Sequence, residues 1–361
     1  MKILIATAGY GAGHNAAARH LESGLRAEYP QAEVLIVDPL DRTFGRVDVQ
    51  ARKFYLGMIN RAPRLWQKIY DWIDRHPGQS VKGPGTLLLA RGIQRLVNEH
   101  YPDVWVSTYP VYNYFFDKLN IRVPRVTIVT DSISVNRIWT GCRHHPYIVP
   151  NEATGRVLVE QGVDPALVHP LGFPVTPLLD TPAQRPPMRD GLKVLYIING
   201  ALDMADELVA FLASRPEIQS TIITGNYARR LTRYQADFGH CPQLTLLGWS
   251  KNVPELMQRH HLLISKAGGA TVQEAIAAGI PMIVNQVVPG QEAGNWQLLA
   301  DAGAGVALET APAIATYLSS LGEPAYHALA AGVASLQKPR AARTIARFIM
   351  QLANDRSADA G

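Results

Sequence analysis

The chain has 361 residues, 47% of them hydrophobic, and a formal net charge of +5. That length and apolar share suit two domains of ordinary size with full cores, while no stretch reaches the roughly 20 apolar residues of a membrane span. The mild positive charge fits an anionic ligand, an anionic lipid surface or nucleic acid, but no recognisable nucleic-acid module is present. A buried-strand pattern directly after Met1 gives the expectation of neither a signal nor a transit peptide. Cys142 and Cys241 lie far apart without a CxxC, as in a cytoplasmic protein with reduced thiols.

Short apolar runs alternate with helical stretches along the chain, which predicts an α/β protein with parallel sheets. The first run, residues 2–7, leads into Ala8-Gly9-Tyr10-Gly11-Ala12-Gly13-His14 and a helix over 15–28. Glycine permits positive φ and close backbone approach, so Gly11 and Gly13 mark a candidate anion-binding turn. Asp38 ends the next strand, 34–37, where a dinucleotide fold would keep a ribose-binding acid. The Gly-x-Gly-x-Gly spacing is one residue short of that fingerprint, however, and a histidine is an odd occupant of a pyrophosphate site. Further strands are predicted at 104–106, 126–129 and 147–149.

Between Arg52 and Arg75, basic and aromatic residues interleave with apolar ones at helical intervals. Two readings stand for segment 52–75: a helix lying in an anionic lipid headgroup layer, or a core-packed helical pair whose basic stems cover its rim. The proline-rich, aperiodic stretch 181–188 is the predicted interdomain linker. A second strand series follows at 194–198, 221–224, 244–247, 262–264 and 282–284. Two doubly wound domains facing each other would set a cleft at the carboxyl ends of both sheets. The last helix, predicted over 341–352, carries Ile345, Phe348, Ile349 and Leu352 on one stripe and is expected to pack on a neighbouring domain. The pairs His144-His145 and His260-His261 lack the i, i+4 spacing of joint metal ligands and read as surface or turn residues.

The most informative run is Ser265-Lys266-Ala267-Gly268-Gly269-Ala270-Thr271-Val272-Gln273-Glu274, a strand end opening through small residues into a helix. Such a loop turns backbone N–H groups and a helix N-terminus towards an anion. Thr271 adds a hydroxyl, and Glu274, one turn along, is in reach of a ribose. The unit reads as a diphosphate-plus-ribose cradle formed by Ser265, Gly268, Gly269, Thr271 and Glu274, against the plainer reading of an ordinary tight turn.

Taken with Gly11-Ala12-Gly13-His14-Asn15-Ala16-Ala17, Val37-Asp38, Thr130-Asp131 with Trp139, Gly248-Trp249 and Pro289-Gly290-Gln291-Glu292-Ala293-Gly294-Asn295, this run resembles the GT-B glycosyltransferases of the MurG-like group. Within it, the branch is that of monogalactosyldiacylglycerol synthases and processive diacylglycerol glycosyltransferases. The resemblance implies two Rossmann-like domains: an acceptor-side domain, 1–172, and a UDP-sugar-binding domain, 173–361, whose final helix packs back on the first. It implies inverting transfer of a hexose from a UDP-sugar to a lipid hydroxyl, by a peripheral enzyme on the inner face of the cell membrane, with no cofactor or metal. No Asp-x-Asp occurs that would hold a metal on the diphosphate.

His14 is then the general base, since an imidazole can take the acceptor's proton during direct displacement. By the same resemblance Trp249 borders the uracil, Gln291, Glu292 and Asn295 read sugar hydroxyls, and Asp131 lies on the acceptor side. The family's glycine-rich loop falls at Asn199-Gly200-Ala201-Leu202-Asp203, where only Gly200 remains. The position of a family histidine before the tryptophan is taken by Asn136. A UDP-sugar epimerase or hydrolase of the same fold, or a catalytically weak UDP-sugar sensor, are the alternatives that these departures leave open.

Overall fold

Strands that alternate two apolar faces need helices on both, and the chain supplies them. The computed structural model describes residues 1–77, 84–199, 202–288, 290 and 292–359. They form two compact units: Met1–Pro177 with Val288–Gly294 and the segment from Arg340, and Leu178–Val287 with Asn295–Pro339.

In the first unit β1 (Lys2–Ala6), β2 (Glu33–Val37), β3 (Val104–Ser107), β4 (Arg125–Ile128), β5 (Tyr147–Ile148) and β6 (Val168–His169) make one parallel sheet. Its order is β2-β1-β3-β4-β5-β6. Ile3 and Ile5 of β1 pack with Ala18, Leu21 and Leu25 of helix α1 (Ala12–Glu28) and with Ile345 and Ile349 of the C-terminal helix Ala341–Asp359. Leu4 and Ala6 face the opposite way, onto Leu89, Ile93, Trp105 and Phe116. The C-terminal helix thus belongs to the first unit, with Ile345 and Ile349 fully buried. Three helices follow β2: α2 (Pro39–Phe44), α3 (Arg46–Arg61) and α4 (Pro63–Arg75).

The second unit repeats the plan with β7 (Leu192–Ile197), β8 (Ile218–Ile223), β9 (Leu244–Leu247), β10 (Leu262–Lys266), β11 (Met282–Gln286) and β12 (Gly305–Ala307), all parallel, in the order β12-β11-β10-β7-β8-β9. Val194, Tyr196, Leu208, Leu212, Ile222, Leu262 and Ile264 lie in its core. Chain direction across the sheet reverses between β1 and β3 in the first unit and between β7 and β10 in the second. The carboxyl ends of strands at such a reversal are where open α/β sheets bind ligands.

Two expectations are corrected. The stretch 181–188 is not the linker, since the chain enters the second unit at Leu178. Arg185 anchors the stretch there, its guanidinium donating to the carbonyls of Met257, His260 and Ala278. Three of the four paired histidines are buried core residues: His145, His260 and His261 are at most 7% exposed. His260 sits against Leu256 O (2.6 Å) and Thr221 Oγ1 (2.9 Å), and His145 Nε2 against Thr127 Oγ1 (2.7 Å). A histidine pair in sequence hides such partners, which come from β4, β8 and the helix Val253–Arg259.

Candidate active site

In the first unit, β1 ends in a turn whose Gly11 has φ +110, a conformation that favours glycine. Gly11 caps α1, Gly13 leaves the helix start bare, and His14 stands in the first turn. This is the carboxyl edge where the winding reverses. Thr108, just beyond β3, completes it: its amide donates to Ala6 O (2.9 Å) and its hydroxyl to His14 O (3.2 Å).

The imidazole Nδ1 lies 2.8 Å from Thr108 O and 2.9 Å from Thr130 Oγ1. A carbonyl only accepts, so the proton is on Nδ1 and the lone pair on Nε2. Tyr109 meets the ring edge-on at 5.1 Å, and Trp139 lies at 6.1 Å. Burial pushes the His14 pKa down to about 4, with the Thr108 carbonyl pulling the other way. His14 is therefore neutral at neutral pH, as a proton acceptor must be.

Asp131, after β4, accepts a hydrogen bond from Trp139 Nε1 (2.8 Å), and burial raises its pKa to about 6 against that bond. Asn136 caps the short helix Arg137–Thr140, accepting from Ile138 N, and donates to Tyr70 O of α4 (3.2 Å). Gly290 and Gly294 sit in the first unit too. A Cβ on Gly294 would overlap Ser132 O and Ser134 N, and one on Gly290 would overlap Gln67 of α4. Glu292 is buried and its Oε2 accepts from Val288 N (3.0 Å), within its own loop.

Asp38 is consumed by its own neighbourhood. It caps α2 through Leu40 N and Asp41 N (both 3.1 Å), accepts from Gly9 N (3.0 Å) and pairs with Arg52 (2.7 Å). A carboxylate so satisfied has no site left for a ribose, which removes the dinucleotide reading.

In the second unit the cradle stands at the reversal between β7 and β10. The β10–β11 register shifts at Ser265/Lys266, an irregularity that re-aims the strand end. Gly268 caps the helix Gly269–Ala278 without a side-chain hydrogen bond, leaving the first turn's N–H groups to an outside acceptor. Thr271 and Glu274 are half-buried on that helix. Ser265 is buried, and its hydroxyl is engaged by Asn199 Nδ2 (3.0 Å) across the reversal. Ser265 therefore braces the cradle rather than facing a ligand.

Asn295 is likewise buried and donates to Ala267 O (3.0 Å), holding the loop before Gly268. Trp249 follows β9 and is 72% exposed. Gly200 and Gln291 lie outside the described residues. Sequence reasoning misses Thr108, whose contribution to His14 Nδ1 is a carbonyl, and Asn199, whose loop stands out in sequence only for its lost glycines.

Residues 14–175 match the monogalactosyldiacylglycerol (MGDG) synthase family, and residues 197–328 match the glycosyltransferase family 28 C-terminal domain. The chain thus carries a domain of the MGDG synthase family followed by a glycosyltransferase family 28 C-terminal domain, on the GT-B fold. With these two domains it is a UDP-sugar-dependent glycosyltransferase. It is 28% identical over 320 residues to a processive diacylglycerol beta-glucosyltransferase of Bacillus pumilus, covering 85% of this chain and 83% of the relative. It is 26% identical over 338 residues to a probable chloroplastic monogalactosyldiacylglycerol synthase 2 of Oryza sativa subsp. indica, covering 84% and 70%.

The GT-B fold is also that of MurG from Acinetobacter baumannii, with a TM-score of 0.63 at 14% identity over 97% of this chain and 100% of that one. Both sites of this glycosyltransferase thus stand at the winding reversal of their own sheet.

Proposed function

We propose that this glycosyltransferase moves a hexose from a UDP-sugar to the hydroxyl of diacylglycerol or a similar lipid, with inversion and without a metal ion. The observation that carries the reading is His14, neutral, with Nδ1–H held by Thr108 O and the Nε2 lone pair available. The acceptor O–H gives its proton to Nε2 as its oxygen bonds to the anomeric carbon. The bond from that carbon to the diphosphate oxygen breaks, and UDP leaves with the electron pair. One displacement from the opposite face inverts the anomeric centre. The helix Gly269–Ala278 and the Thr271 hydroxyl offer the leaving diphosphate the positive end of a dipole and hydrogen-bond donors.

The lipid acceptor is supported by the names of the relatives and by the outer face of segment 52–75. Phe54, Leu65 and Trp72 are 72%, 54% and 46% exposed, with Lys53, Arg64, Lys68 and Arg75 exposed beside them. The inner face is packed: Trp66 is buried, Tyr70 bonds Ser134 O (3.4 Å), and Asp74 accepts from Arg137 N (2.7 Å). The packed side fits the core-packed reading, and the exposed side is what supports lipid contact. Among the described residues no helix is long and apolar enough to cross a membrane, and the proposal is surface contact with anionic lipid.

The test is the product. An α-linked UDP-sugar should give a chloroform-extractable glycolipid whose anomeric proton shows the β linkage by NMR. A retained α linkage would overturn the single displacement.

A further inference from the structure

The turn that carries His14 is held from outside by a buried charge cluster that no part of the reaction uses. Arg52, on α3, sends Nη2 to Asp38 Oδ2 at 2.7 Å and pairs one helical turn back with Asp48. The Asp48 side chain is 1% exposed and that of Arg52 21%. Two links run from the cluster to His14. Asp38 Oδ2 also accepts from Gly9 N, fixing the backbone five residues before His14. Asp48 Oδ1 accepts from the Tyr10 hydroxyl (2.9 Å), and the Tyr10 ring lies under the guanidinium at 5.7 Å.

Tyr10 in turn stacks on Tyr109 at 6.1 Å, and Tyr109 is the ring that meets His14 edge-on. A Cβ on Gly9 would overlap the guanidinium, so the glycine is what lets Arg52 lie against the turn. Its other partners are fixed as well, since Asp38 caps α2 and Asp48 is buried.

We propose that Arg52 is a positioning residue for His14. Its Nη2 serves the carboxylates of Asp38 and Asp48 at once, and so sets both the backbone turn and the Tyr10–Tyr109 wall against which the imidazole is oriented. The inference rests on His14 being the base, and it assigns Arg52 no contact with substrate. A lysine there keeps the charge but lacks the planar guanidinium that lies against Gly9 and over the Tyr10 ring, so it holds the turn less firmly.

Five enzymes decide it: wild type, Arg52→Ala, Arg52→Lys, His14→Ala, and Arg52→Ala combined with His14→Ala. A slip of about 1 Å in a catalytic group costs on the order of 100-fold, so kcat of Arg52→Ala should fall by about that factor with the UDP-sugar KM unchanged. Arg52→Lys should lie between it and wild type. In the His14→Ala background the Arg52 change should cost nothing further. In 15N-histidine-labelled protein the exchange-protected Nδ1–H signal of His14 should be lost from Arg52→Ala.

An unchanged kcat, an equal loss with and without His14, or a retained Nδ1–H signal would overturn the assignment. If Arg52→Ala does not fold, Arg52→Lys carries the same readouts. Full activity of His14→Ala would instead sink the base assignment, leaving the Nδ1–H signal to judge the positioning.

Discussion

His14→Ala removes sugar transfer, lowering kcat by roughly 10²–10⁴-fold, the range a positioned general base supplies, while UDP affinity stays as in wild type. The two halves of that result have separate physical causes. His14 stands on the first unit, and burial holds it neutral with its proton on Nδ1. Alanine deletes the only group on that turn able to take the acceptor's proton near neutral pH. The cradle after β10 belongs to the second unit, braced by the Asn199–Ser265 and Asn295–Ala267 bonds. None of those bonds depends on the imidazole, so a UDP titration should give the wild-type Kd. Turnover within threefold of wild type would sink the assignment, and lost UDP binding would show the substitution to be disruptive.

The second large effect is expected on the outer face of α4. Leu65→Glu combined with Trp72→Glu should weaken binding to anionic vesicles at low salt by about 1,000-fold. Burying the exposed half of a large apolar side chain is worth about 1 kcal/mol, and each new carboxylate opposes the basic stripe by a similar amount. The stripe is formed by Arg64, Lys68 and Arg75, all exposed, so two glutamates there act on the surface and leave Trp66 and Tyr70 packed inside. Transfer to a short-chain, water-dispersed diacylglycerol should persist while transfer to vesicle-borne acceptor collapses. Co-sedimentation equal to wild type would remove this face from any lipid contact.

Much of the fold is legible because the buried strands are continuous apolar runs with small-residue turns after them, as at β1, β3, β10 and β11. The strands at 168–169 and 305–307 escape notice because Val168-His169 and Gly305-Val306-Ala307 make no apolar run, whereas Tyr147-Ile148-Val149 does. What sequence hides is partnership. An acid at the end of β2 looks available for a ribose until Gly9, Leu40, Asp41 and Arg52 are seen to occupy it. Similarly, Glu292 and Asn295 lie in a motif that suggests sugar contact, yet their described hydrogen bonds go to Val288 and Ala267. His14 and the Gly268–Gly269 turn are legible for the opposite reason, since backbone geometry and one side chain define them locally. Arg52 has no such signature, because its importance comes from two carboxylates brought to it by different elements.

We propose that UDP-sugar is consumed only to glycosylate a lipid hydroxyl, with no metal taking part. UDP release should be measured in chelator-containing buffer from UDP-glucose, UDP-galactose and UDP-N-acetylglucosamine, each with and without diacylglycerol vesicles. Release is expected from one donor, requiring the vesicles and withstanding the chelator. Release without acceptor, or activity abolished by the chelator and restored by a divalent cation, would contradict it.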